Sequence, residues 1–153
     1  MESNLSWFEN IKIDVHNING ELVDTTEFHN QVTDGALNWL ADSLRKSTQD
    51  CSIKYLAWGS NNLAVSTAHT TLSSERGRKA VTSATSSGVG KCFTVIYISP
   101  SEATTNIAEL GWFAGSTATA VVNTGRMISR VLYSRTKTSL ESLTITRTDS
   151  FTT

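Results

Sequence analysis

The 153-residue sequence predicts a mainly β domain: an antiparallel, jelly-roll-like β-sandwich of about seven or eight strands with one α-helix near residues 34–46. Three observations predict it. Hydroxyl side chains dominate, with 22 Thr and 20 Ser against a single Pro, and β-branched Thr suits a pleated surface better than a helix interior. Apolar and polar residues alternate with period two, as in Ile11, Ile13 and Val15 around Lys12, Asp14 and His16, and again where Leu143 and Ile145 interleave with Thr144 and Thr146. One stretch alone shows helical spacing. The length suits a single domain, read as an N-terminal arm over 1–10 followed by one sandwich over 11–153.

In chain order, Trp7 and Phe8 precede any regular pattern and imply docking, on this subunit or on a neighbour. Ile11 to His16 reads as a half-buried strand, Asn17-Ile18-Asn19-Gly20 as a turn, and Glu21 to Phe28 as the returning strand of a hairpin. Thr33 is a good N-cap, Asp34 sits in the first turn, Leu37, Leu40, Ala41 and Leu44 recur at helical spacing, and Arg45 and Lys46 meet the C-terminal end of the dipole. A staple between Val32 and Leu37 is expected. Ile53 to Trp58 alternates little, as a strand covered on both faces does. A long polar connection follows to Ser74. Lys79 to Ser86 and Lys91 to Ser99 flank a hairpin tip at 87–90, with Phe93, Val95 and Tyr97 on one face. Strands near 106–113, 126–134 and 139–151 complete the set.

The 13 basic and 14 acidic side chains nearly cancel, which excludes a protein whose main partner is nucleic acid, since counterion release needs a dense basic surface. The charges are unevenly placed, with a net of −6 over residues 1–75 and +5 over 76–153. Either the halves interleave in space, or an acidic and a basic face attract neighbouring copies. The start of the chain has neither the basic nor the apolar region of a secretory signal, and no run is long enough to span a bilayer, so a chain made in the cytoplasm with no membrane partner is expected. Cys51 and Cys92 are read as buried thiols, a bridge between them being the alternative.

The search for chemistry leaves every candidate with a structural reading. His16, His29 and His69 share no ligand spacing. Residues 85–92 contain Gly-Lys but put Thr85 and Cys92 where a phosphate loop needs Gly and Ser or Thr, so a strand-to-strand turn is expected. No Gly-x-Ser-x-Gly occurs, and Glu75, Glu102 and Glu109 read as isolated carboxylates. The expectation is no catalytic residue, no cofactor and no metal. Arg76, Arg78 and Lys79 form a basic cluster suited to a subunit contact. Trp39, Trp58 and Trp112 read as core, leaving Trp7 for an interface.

The order of motifs adds a resemblance. His29 to Leu40 (HNQVTDGALNWL), then Ile53 to Ser60 (IKYLAWGS), then Thr71 to Arg76 (TLSSER) resembles small structural proteins of tailed bacteriophages. There, a helix opened by asparagine and then glycine precedes an "I-x-Y-hydrophobic-A-x-G" strand and a "T-x-L-x-x-E" segment. Ile107 to Phe113 is similar to their "I-x-E-x-G-hydrophobic-F" strand, and Arg126 to Val131 and Leu143 to Phe151 to their paired closing strands. Trp58 stands where a smaller residue is expected. The resemblance covers about His29 to Phe151 and carries over no catalytic residue. It implies a non-enzymatic virion component, a homo-oligomer binding copies of itself and other virion proteins such as the major capsid or tail proteins. Capsid decoration or cement comes first, with a tail or fibre protein, including a carbohydrate- or receptor-binding module, as the alternative. The interface residues expected are Trp7, Phe8, Arg76, Arg78 and Lys79.

Overall fold

The computed structural model describes residues 6–30, 32–46, 50 and 52–152. Two antiparallel sheets form a β-sandwich. The strands are β1 (Ser6–Asn17), β2 (Leu22–Asn30), β3 (Ile53–Gly59), β4 (Glu75–Ala80), β5 (Ser83–Ser86), β6 (Lys91–Ile98), β7 (Asn106–Ala114), β8 (Arg126–Thr136) and β9 (Glu141–Thr152), with helix α1 (Asp34–Arg45) between β2 and β3. One sheet runs β2-β1-β9-β6-β5 and the other β4-β3-β7-β8. Successive strand pairs alternate between the sheets. Strand β9 then returns to lie between β1 and β6, and tying the two ends of the chain together in this way gives the five-stranded sheet its centre.

Alternation explains which side chains face inward. On β1, Ile11, Ile13 and Val15 are buried, and on β9 Leu143 and Ile145 are, while Thr144, Thr146, Thr148 and Ser150 line the outer face. These four hydroxyl side chains form the outer side of a central strand. Ile96 and Ile98 complete the inner layer from β6, and Leu110, Trp112, Ile128 and Val131 face them from the second sheet. Gly20, at φ +82°, closes the first hairpin as the Asn-Gly signal requires.

The expected single strand over 79–86 is two. Val81 N–H donates to Lys54 of β3, and Thr82 N–H donates to Val95 of β6, so the chain changes sheets at this corner. The expected arm is also revised, because residues 6–10 are the first part of β1, paired from Ser6 with Thr152 onward; the rest of the expected arm lies outside the described residues. Both faces of β3 are covered from Leu56 to Gly59, as expected, and both faces of β7 are covered too, which was not expected. A second, smaller core on the outer side of the four-stranded sheet joins Ala57, Phe113 and Met127 to Leu72 and Ala118 from the long loops 60–74 and 115–125. Trp58, unexpected in its motif, fits because its partner across the ladder is Gly77, where a β-carbon would lie 2.6 Å from the indole ring.

Helix α1 keeps its expected cap but not its expected face. Thr33 Oγ1 accepts from Ala36 N–H and donates to Met127 O at 2.8 Å, and Thr33 N–H donates to Ile128 O, so the cap is bonded to β8 before the helix begins. That attachment sets the rotation. Ala36 and Trp39 point into the core, whereas Leu37 is 50% and Leu44 90% exposed. Of the expected staple pair, Val32 is buried and Leu37 half exposed, and both line one hollow beside the start of β1.

Candidate functional site

The charged residues with most chemical potential lie inside the molecule. Arg147 on β9 is fully buried and clamps two carboxylates: Nη1 donates to Glu9 Oε1 at 2.8 Å, and Nε and Nη2 grip Asp149 at 2.8 and 2.7 Å. Ser129 donates to Glu9 Oε1 at 2.8 Å and also bonds Arg147 Nη1, while the Arg147 guanidinium lies 5.6 Å from the Trp112 ring. Burial works against the charge of Arg147, but Glu9 and Asp149 more than offset it and hold the group protonated. Glu9 shows the opposite balance. Burial pushes its carboxyl above the ordinary 4.5, against the pull of Arg147 and Ser129, and Oε2 has no hydrogen-bond partner among the described residues.

This shift has a sign that can be tested. A carboxyl whose folded-state value is raised contributes stability below its unfolded value, and that contribution is lost as pH rises through the folded value. The loss attributable to Glu9 therefore begins near pH 4.5 and extends upward. In Glu9→Gln it is absent, so thermal melts from pH 4 to 8 are expected to show the variant gaining on the wild type as pH rises. A difference in melting temperature independent of pH contradicts this.

The carboxylates that look isolated in sequence each have a cationic partner. Glu109 accepts from Arg130 Nε at 2.8 Å and from the Ser73 and Ser74 amides at 3.4 and 3.0 Å, anchoring the end of loop 60–74 to β7. Glu75 accepts from Arg78 Nε and Nη2 at 2.6 and 2.9 Å. Glu102 pairs with Lys79 and accepts from Ser99 N–H at 2.9 Å, which together hold its carboxyl down at about 2. The ion pairs Glu9–Arg147, Asp24–Arg135 and Glu75–Arg78 join the acidic first half to the basic second half, so the two halves interleave.

The expected interface residues separate accordingly. Trp7 is half-buried, with its ring 5.1 Å from that of Phe151 and Nε1 donating to Asp149 Oδ1 at 2.7 Å. Arg78 is committed inward: beyond Glu75, its Nη1 donates to the carbonyls of Thr119 and Thr124, and its guanidinium lies 4.4 Å from the Phe113 ring centre. Lys79 is occupied by Glu102. Phe8, 58% exposed, and Arg76, exposed with Nε donating to Ser60 Oγ at 2.9 Å, remain on the surface.

Sequence reasoning missed the rest of this surface. Phe8, Val32 and Leu37 share a hollow of about 400 Å³ between the start of β1 and α1. With Leu44 outermost on the same helix, they make an apolar face that the expected inward stripe had concealed. A second hollow of about 400 Å³, lined by Trp7, Trp39, Ile53, Cys92, Ile128 and Phe151, opens at the end of the sandwich under α1. Cys92 is a half-buried free thiol rather than a buried one, and Cys51 lies outside the described residues.

Among the described residues, no three His, Cys, Asp or Glu side chains converge as a metal site, and the helix is neither long nor apolar enough to cross a membrane. Residues 85–92 belong to the β5–β6 hairpin. Comparison with protein-family models, with curated proteins and with solved structures finds no match.

Proposed function

We propose that the chain is a non-enzymatic structural subunit of a tailed-phage virion, present in many copies and contacting its neighbours through the face built by β1 and α1, most simply as a capsid decoration or cement protein. The observation that carries this reading is the exposure of Phe8 and Leu37 around one hollow, with Leu44 exposed seven residues further along α1. Large apolar side chains grouped on a surface mark a contact, and their burial contributes roughly 1.5–3 kcal/mol each. A lattice of identical copies multiplies such modest contacts, so no single one has to be strong. The buried ion pairs supply the other half of the argument, because Glu9, Glu75, Glu109, Arg78 and Arg147 are engaged in holding the two sheets and their covering loops.

Point substitution tests this better than removing residues 1–10, since residues 6–10 are strand. Phe8→Ser and Leu44→Lys are expected to leave the melting temperature nearly unchanged, as exposed positions do. Each is expected to weaken concentration-dependent self-association in sedimentation velocity at least tenfold, about 1.4 kcal/mol. Wild-type protein that stays monomeric at every concentration, or variants that associate as the wild type does, would overturn the self-contact.

A further inference from the structure

Helix α1 turns a short apolar row away from the core. Ala36 and Trp39 are buried beneath the helix, while Leu37, Ala41 and Leu44 are exposed along its outer side. Their spacing of four and then three residues makes them neighbours on one face. Leu37 and Leu44 are two turns apart, about 10 Å along the axis. Ala41 lies between them and has the smallest side chain of the row, which lets a second helix approach closely at that point.

The two leucines differ in setting. Leu37 forms one wall of the hollow that Phe8 and Val32 also line, whereas Leu44 projects as the most exposed side chain of the row. A recess at one end of the row and a projection at the other, placed evenly about Ala41, make a surface that complements itself. A two-fold axis through Ala41 sets two such helices antiparallel. It brings Leu44 of each copy against Leu37 of the other and into the recess beside it. That is an isologous contact, in which one patch serves both subunits.

Charge selects the same direction. Asp34 precedes Leu37 and Arg45 follows Leu44, both exposed, and the 3.6-residue period puts them on the same flank of the row. Antiparallel packing sets that flank against its own copy, so Asp34 of each helix meets Arg45 of the other; parallel packing would set Asp34 beside Asp34. Within the subunit, Asp34 accepts only from the Thr67 hydroxyl at 3.2 Å, and Arg45 pairs with Asp42 at 2.9 Å on the open surface. Antiparallel macrodipoles favour the same arrangement. Exposed ion pairs add little strength, but they decide between alternatives. We infer that α1 packs antiparallel on α1 of a second copy about a two-fold axis at Ala41, with Leu44 of each seated in the recess of Phe8, Val32 and Leu37 of the other. This rests on the self-contact proposed above and names the element that meets it.

The test is sedimentation velocity of the full chain and two charge-reversed variants at low salt. Asp34→Lys and Arg45→Asp each put like charges at both ends of the helix pair, and each is expected to weaken self-association at least threefold. An equimolar mixture of the two is expected to associate as the wild type does, because every reversed charge then meets its opposite. Should either variant fail to fold, cross-linking locates the axis without them. In a chain carrying Cys51→Ser and Cys92→Ser, Ala41→Cys is expected to form a disulfide-linked dimer on mild oxidation at least tenfold faster than Leu22→Cys in the β1–β2 hairpin. A mixture as weak as its components, or Ala41→Cys linking no faster than Leu22→Cys, overturns the helix pairing, and wild-type association seen alongside leaves the self-contact standing. A wild type that is monomeric at every concentration overturns both.

Discussion

Replacing Arg147 by methionine is expected to cost about 3–5 kcal/mol of folding stability, the range found when one partner of a buried ion pair is removed. Glu9 and Asp149 would then face each other inside the sandwich without the guanidinium that both now bind. Two buried carboxylates cannot both stay charged at such range, so one must take up a proton. The penalty is therefore expected to be larger at pH 8 than at pH 5. For a domain of this length it corresponds to a fall in melting temperature of roughly 10 °C or more. Thermal melts at the two pH values check it, and a loss under about 1 kcal/mol at pH 8 would show that the cluster contributes little.

The second large effect is expected at Glu109→Ala. This change leaves Arg130 charged and buried without its carboxylate, and it also orphans the amides of Ser73 and Ser74. A similar loss of about 3–5 kcal/mol is expected. It is also expected to release loop 60–74 from the sheet. Hydrogen exchange distinguishes this from Arg147→Met: amides of the loop should lose protection below the global unfolding limit in Glu109→Ala alone. Uniform loss of protection in both variants would mean that Glu109 does not anchor the loop separately.

These two clusters also mark where the sequence could be read and where it could not. The alternation on β1 and β9 locates both strands, because each has one face in the core. The same phase runs on into Glu9 on β1 and into Arg147 and Asp149 on β9, charged side chains at positions that Ile11 and Ile145 define as inward. A charge in the apolar phase of a strand was thus a legible signal of a buried network. Its pairing was not, since Glu9 and Arg147 are 138 residues apart and meet only because β9 returns beside β1. The helix shows the converse difficulty. Thr33 identifies its start, but apolar residues occupy both faces. The choice of Ala36 and Trp39 over Leu37 and Leu44 is made by the bonds from Thr33 to β8, which periodicity cannot register. Likewise the basic cluster reads as a surface in sequence, yet Arg78 turns inward because Glu75 and the Phe113 ring are there to receive it.

The proposed function requires the apolar β1–α1 face to point outward for contact with further copies in a particle. Electron cryomicroscopy of particles from the phage proposed to carry the chain, with the subunit labelled, puts this to the test. The expected result is a regular array of copies with Phe8, Leu37 and Leu44 buried between neighbours. Particles that carry no label, or copies seated with that face open to solvent, would contradict it.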